Sequence, residues 1–301
     1  MGLKWTTTAF VAVWLIAGGP AIAGPGSEPY WNSKPLSYWV TALSGHDTVG
    51  RVLAATSLAE MAIAHGGAPL ASAVPQLVPN LGDPIADIRE SAAHALEQIG
   101  APTARAAVTP LLGLLNTDAT PQVRRRAALA LGRIDPTSED VITGAARTLQ
   151  QDGNVAVRVS AAVLLMASGR VAGRVAGVLT AALADESHAV QLYSAAALVK
   201  TGTGESAFAR LLDGLKEDDP ALRVEAVTLL ADLGKGRDEV IPALVRALGD
   251  PDAEVRGAAA DALGGIGRPA RPALPALWPL LRDPDEGVRD RVSRAVRAIR
   301  H

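Results

Sequence analysis

Six acid–arginine pairs recur along this chain with one spacing: Asp83/Arg89, Asp118/Arg124, Asp152/Arg158, Glu217/Arg223, Asp250/Arg256 and Asp283/Arg289. A carboxylate and a guanidinium repeated at a separation of six suit two kinds of chemistry. They form a row of charges for an elongated ligand. Alternatively they hold the chain to itself, the acid capping a helix N-terminus and bonding an arginine of its own or a neighbouring segment. Recurrence in nearly every segment favours the second, a structural ladder. In the fifth frame Asp185 precedes Gln191 where an arginine is expected, so the ladder should be weakest there.

Other reactive groups are scattered. The histidines, His46, His65, His94, His188 and His301, have no neighbouring glutamate, and no H-x-x-x-H face, P-loop or G-x-S-x-G turn occurs. The chain has no cysteine. That excludes disulfides, a thiolate nucleophile, cysteine-ligated metal and iron–sulfur clusters. No catalytic, cofactor-binding or metal-binding residue is therefore expected, and no cofactor. The 301 residues carry 29 Lys+Arg against 31 Asp+Glu, a formal charge of −2, which argues against a general nucleic-acid binder. A hydrophobic fraction of 49 % is too high for a disordered chain.

Two local concentrations have a structural and a binding reading. Tyr30, Trp31, Tyr38 and Trp39 suit a cap over an open apolar end, or an aromatic docking patch. Arg289, Arg291, Arg294, Arg297 and Arg300 give the last helix a basic face. That face complements the helix dipole as a solvated cap, or it meets anionic lipid, cell-wall polymer or an acidic partner. The cap is the expected role of both.

The elements that position these residues are repeats. Residues 81–100 read LGDPIADIRESAAHALEQIG, 248–267 LGDPDAEVRGAAADALGGIG and 281–300 LRDPDEGVRDRVSRAVRAIR. Framing positions Arg51, Arg89, Arg124, Arg158, Gln191, Arg223, Arg256 and Arg289 are separated by 38, 35, 34, 33, 32, 33 and 33 residues. Within a unit, Val123, Ala127, Leu131 and Ile134 fall on one face of a 3.6-residue period. Gly100, Gly169, Gly202, Gly234 and Gly267 stand where a left-handed residue ends a helix cheaply. A shorter apolar helix precedes, with Pro75, Pro242 and Pro275 in its first turn. No segment alternates convincingly as a strand. Two helices in about 33 residues cannot bury their faces alone, so the pairs must stack.

Residues 1–23 have the layout of a signal peptide: Lys4, an apolar run from Ala9 to Ala17, a Gly-Gly-Pro break and Ala21-Ile22-Ala23. Cleavage after Ala23 would leave a Gly/Pro linker over 24–34, a solenoid over 35–301 and a formal charge of −3. The protein is thus expected to be exported, periplasmic or extracellular. Membrane contact is expected only from the signal segment or the basic last helix.

The sentence L-x-D-P-x-x-x-V-R-x-x-A-A-x-A-L-x-x-I-G resembles a HEAT repeat, in the short bacterial form also found in phycobilisome lyases. The resemblance implies an all-α fold, a right-handed α-solenoid of about eight two-helix units. It also implies that second helices line a concave surface that binds protein or peptide, and it implies no single activity. HEAT-repeat iron hydroxylases carry paired His-Glu motifs, which are absent from this sequence. Positions two, five and nine after the framing residue are then expected on the binding face: Arg126, Leu129 and Arg133, then Val163, Tyr193 and Lys200, and further along Glu225, Asp232 and Asp261. Positive side chains fall in earlier units and negative ones later. The expected function is an exported, non-catalytic scaffold for a protein or peptide. The alternative is an enzyme handling a bilin in the manner of a phycobilisome lyase, and DNA binding is opposed by the charge.

Overall fold

The computed structural model describes residues 28–202, 204–234 and 236–300. The expected signal segment and the start of the linker lie outside the described residues. The chain divides into two compact units at residues 135/136. The first contains helices α1 (Leu36–Ala42), α2 (Thr48–His65), α3 (Val74–Asn80), α4 (Ala86–Ile99), α5 (Val108–Thr117) and α6 (Pro121–Ile134). The second contains α7 (Glu139–Gln151), α8 (Val155–Ser168), α9 (Ala176–Ala181), α10 (His188–Thr201), α11 (Glu205–Asp213), α12 (Pro220–Leu233), α13 (Val240–Ala247), α14 (Ala253–Ile266), α15 (Leu274–Leu277) and α16 (Glu286–Arg300). Taken two by two these are eight helix pairs, an all-α solenoid pattern.

Within each unit, second helices of successive pairs lie against one another, α2 on α4 on α6 and α12 on α14 on α16. The framed stripe forms their buried side. Val123, Ala127 and Leu131 have no exposed surface, and neither do Leu58, Leu96, Leu165, Leu230 and Leu263. Each fully buried leucine contributes about 2 kcal/mol from the surface it removes from water. Small residues set the spacing. A Cβ on Gly264 would lie 2.9 Å from the Ala295 Cα, so α14 and α16 touch almost backbone to backbone.

Two sequence-based expectations need correction. The helices are capped four residues before the framing arginine: Asp47, Asn154, Asp219 and Asp252 accept the first N–H groups of α2, α8, α12 and α14, the last three standing two places after a ladder acid. The ladder acid instead closes a turn, its Oδ1 accepting the N–H two residues on, as Asp83 does from Ile85 (2.9 Å) and Asp283 from Asp285 (2.9 Å). Gly100, Gly169, Gly202 and Gly267 have positive φ as expected, but Gly234 has φ −92. A Cβ there would meet Val240 Cγ2 at 2.3 Å, so glycine serves close approach and not handedness.

A third difference lies at the N-terminal end. Tyr30–Trp31 pairs with Lys34–Pro35 as a minimal antiparallel hairpin, with Asn32 and Ser33 at φ 49 and 60 as its tight turn requires. Glu28 accepts the Ser37 N–H and hydroxyl, each at 2.8 Å, and the Trp39 indole donates to the Trp31 carbonyl at 3.3 Å. The described end of the linker is therefore fastened to α1. Leu36, Trp39 and Leu43 are buried under it, whereas Tyr38 lies outside with the Lys34 ammonium over its ring.

Candidate functional site

The ladder side chains come first, because they fix where the exposed residues stand. From Arg89 on, each framing arginine begins its second helix and turns back over its own loop. Arg89 donates through Nη1 to the carbonyls of Asp83 (2.8 Å) and Pro84 (3.1 Å). The other edge of its guanidinium meets both oxygens of Asp118, one helix pair further on, at 2.7 and 2.9 Å. Arg158 holds Asp185, Arg223 holds Asp250 and Arg256 holds Asp283 in the same two-pronged way. Arg51 joins the series by bonding Asp83. The spacing of six in sequence thus records an arginine-to-carbonyl bond. The ion pair itself runs to the following helix pair, because the carboxylate of position −6 faces the arginine before it.

Burial alone would push the Asp118, Asp185 and Asp250 carboxyls up. The guanidinium and the turn N–H on each more than offset it and hold all three below the usual carboxylate range. For Asp283 the Arg256 hydrogen bonds are the dominant influence and burial opposes them.

At the glutamine frame the rung survives by relay. Gln191 Nε2 donates to the Asp185 carbonyl (2.7 Å), as an arginine would. Its Oε1 accepts from Arg210 Nε (3.0 Å), and Arg210 Nη2 reaches Glu217 (2.6 Å). The expected weak point is therefore bridged from α11. Arg210 of α11 thus joins Gln191 of α10 to Glu217 in the loop before α12, and no regular frame reveals it.

The positions expected on the binding face lie along the exposed side of the second helices. In the first unit Arg126 and Leu129 are half-buried and Arg133 is exposed. Arg126 Nη1 meets Glu97 at 3.0 Å, and Arg133 donates to Gln98 Oε1 at 3.2 Å. Glu97 is buried, yet its carboxyl stays below the ordinary range, since hydrogen bonds from His94 and Arg126 outweigh desolvation. In the second unit Val163 is half-buried, the Tyr193 hydroxyl donates to Glu225 at 2.5 Å, and Lys200 meets Asp232 at 3.3 Å. Burial first and Glu225 second push the Tyr193 phenol well above its ordinary value. Asp261 lies 3.6 Å from both Arg291 and Arg294, so part of the basic face of α16 is neutralised, while Arg297 and Arg300 are exposed.

The expected division into a positive and a negative stretch is therefore largely closed by lateral pairs. Equivalent positions of adjacent pairs are neighbours, so opposite charges one repeat apart meet. Glu97 was not among the expected residues because its frame position is a buried one. A shallow cleft of about 530 Å³ opens at the ends of α2, α4 and α6, lined by Ala62, Ile63, Gln98, Ile99 and Arg133 over a floor that includes Gly66 and Gly67. Among the described residues no group of three or more His, Asp or Glu side chains is placed to hold a metal ion.

The family model for HEAT repeats matches residues 36–132 and 208–297, more than half of the chain. The chain belongs to the HEAT-repeat family. The match covers the pairs from α1 to α6 and most of those from α11 to α16; α7 to α10 continue the same pairing. No curated protein matches the sequence. Among solved structures, the complex of CpcE and CpcF of phycocyanin lyase from a Nostoc species is similar at TM-score 0.60 and 19 % identity, covering 94 % of this chain and 100 % of that one. The Escherichia coli protein YibA reaches TM-score 0.50 at 19 % identity, covering 88 % of this chain and 92 % of its own. A homology model of the full-length AP-3 complex reaches 0.54 at 13 % identity, covering 88 % and 50 %. At these identities the likeness is one of fold.

Proposed function

We propose that this HEAT-repeat protein is an exported, non-catalytic scaffold that holds a protein or peptide against its second helices. The observation that carries the reading is the built state of that surface. Arg126–Glu97, Tyr193–Glu225 and Lys200–Asp232 tie adjacent helices, so the exposed side chains are held in place before any partner arrives. Preorganised side chains lose little freedom on binding, and many modest contacts then add to a useful affinity. Two structures similar in fold are protein complexes, CpcE with CpcF and AP-3, which supports a protein partner. Export rests on the layout of residues 1–23.

The test is affinity capture by the mature chain from the envelope fraction, with Arg133→Glu beside the unaltered protein. Arg133 is exposed and, among the described residues, bonded only to Gln98, so its reversal should weaken capture about tenfold and leave helicity and melting unchanged. Equal capture by both proteins rejects this surface in the first unit. N-terminal sequencing of the exported protein should begin at Gly24; recovery of Met1 in the cytoplasmic fraction rejects export.

The likeness to a phycocyanin lyase complex favours one second reading, handling of a linear tetrapyrrole. A shifted and intensified bilin absorbance on mixing with this protein would support it. An unchanged spectrum would remove it.

A further inference from the structure

Three large aliphatic side chains are exposed on one face of α2: Val49 at 73 %, Leu53 at 52 % and Ile63 at 60 %. With the exposed Thr56 and the half-exposed Glu60 between them they fall at i, i+4, i+7, i+11 and i+14, a helical face about 21 Å long at 1.5 Å per residue, aliphatic towards its two ends. Elsewhere the repeat shows what packs on this face. The position of Leu53 corresponds to Arg126 of α6 and Arg291 of α16, and each of these touches the second helix before it, at Glu97 and Glu254. Leu53 has the same aspect, but among the described residues no second helix precedes α2. The geometry there is that of a seat for a helix.

Charge narrows the occupant. At the Ile63 end the cleft brings Arg133 beside Ala62 and Ile63. Arg126 is paired with Glu97 and Arg105 with Asp135, whereas Arg133 bonds the neutral Gln98 and, among the described residues, no carboxylate. A second copy stacked head to tail would bring Asp290, Arg294 and Arg297, the exposed side of its α16, against the aliphatic stripe. Arg294 meets Asp261 of its own chain, but burying Asp290 and Arg297 against Val49, Leu53 and Ile63 costs several kcal/mol, so a copy of this chain is a poor fit.

We propose that the exposed face of α2 docks an amphipathic helix of a protein partner, aliphatic at four- and seven-residue spacing and carrying an acidic residue at the end that meets Arg133. This rests on the protein-binding reading and names the segment and chemistry it grips. The bound helix completes the stack, with Val49, Leu53 and Ile63 covered and the Arg133 charge neutralised over the glycine floor of the cleft.

The probe is a fluorescein-labelled helical peptide with leucines on one face and a terminal pair of glutamates, next to a twin ending in lysines. Titrated with the full mature chain, the acidic peptide should bind saturably and at least about tenfold more tightly than its twin. Leu53→Glu with Ile63→Glu should abolish binding, and Arg133→Glu should reverse the preference between the peptides. Both changes are at exposed positions, and unchanged melting shows that the fold is kept. Absence of saturable binding, equal binding of both peptides, or binding indifferent to these substitutions overturns the proposal. So does concentration-dependent dimerisation abolished by Leu53→Glu, which would assign the stripe to a second copy. If a captured natural partner is lost with Arg133→Glu but kept with Leu53→Glu, the α2 seat fails while the broader second-helix reading stands.

Discussion

Arg256 holds two loops at once, its own through carbonyls and the next through Asp283, whose side chain is 3 % exposed. Removing it strands a buried carboxylate. Arg256→Ala should therefore lower stability by about 3 kcal/mol, measured by urea unfolding, without abolishing partner binding. Loss of binding at unchanged stability would make Arg256 a ligand residue. Arg210→Ala should destabilise measurably but by less, because Gln191 loses its partner while Glu217 keeps His188. A neutral result there would leave the fifth rung as weak as its sequence suggests. At this scale the sequence is partly legible. A spacing of six identifies the ladder residues, but not that Asp118 belongs to Arg89 while its own carbonyl belongs to Arg124. That exchange is a property of stacking, visible only once neighbouring loops are side by side.

Helices, more than their ends, are the most legible level. The stripe of Val123, Ala127, Leu131 and Ile134 placed α6 because burial follows helical period, and all four side chains are buried. Ends were read less well. Gly234 looked like the other terminal glycines, yet its requirement comes from Val240, a contact that a local pattern does not contain. The α2–α3 connection separates the two demands on glycine. At Gly66 φ is +79 with open space around a Cβ, whereas at Gly67 a Cβ would fall 1.8 Å from the Ile99 carbonyl oxygen. Gly66→Ala should cost about 1–3 kcal/mol, the strain of the backbone region alone. Gly67→Ala should cost clearly more and displace α4, with thermal melting as the readout. The reverse order would mean that the connection moves freely away from α4.

Across the molecule, the ladder makes stability depend on acid. The folded carboxyls of Asp118, Asp185, Asp250 and Asp283 are held below their unfolded values, as are Glu97 and Glu217. The unfolded chain therefore binds more protons as the pH drops. The contribution of these groups is complete above the ordinary carboxyl range, about pH 4–5, and is lost as pH falls through the lower folded values. The melting temperature should be level near neutrality and descend steeply below about pH 4, and a flat profile would contradict the ladder. The stacked-pair architecture was legible throughout because one pattern is written in eight frames. The binding surface was not, since pairs such as Lys200 with Asp232 join residues one repeat apart and cancel charges that the sequence shows as separate.

The most direct test of that surface compares two substituted chains for affinity toward the captured partner. One carries Lys200, Asp232 and Asp261 changed to alanine on the second helices. The other carries Arg174, Lys216 and Arg246 changed to alanine, exposed residues of the first-helix segments in the same unit. The second-helix set should weaken binding by at least about tenfold, some 1.4 kcal/mol, with melting unchanged, and the first-helix set should leave binding intact. Weakening confined to the first-helix set would contradict the account.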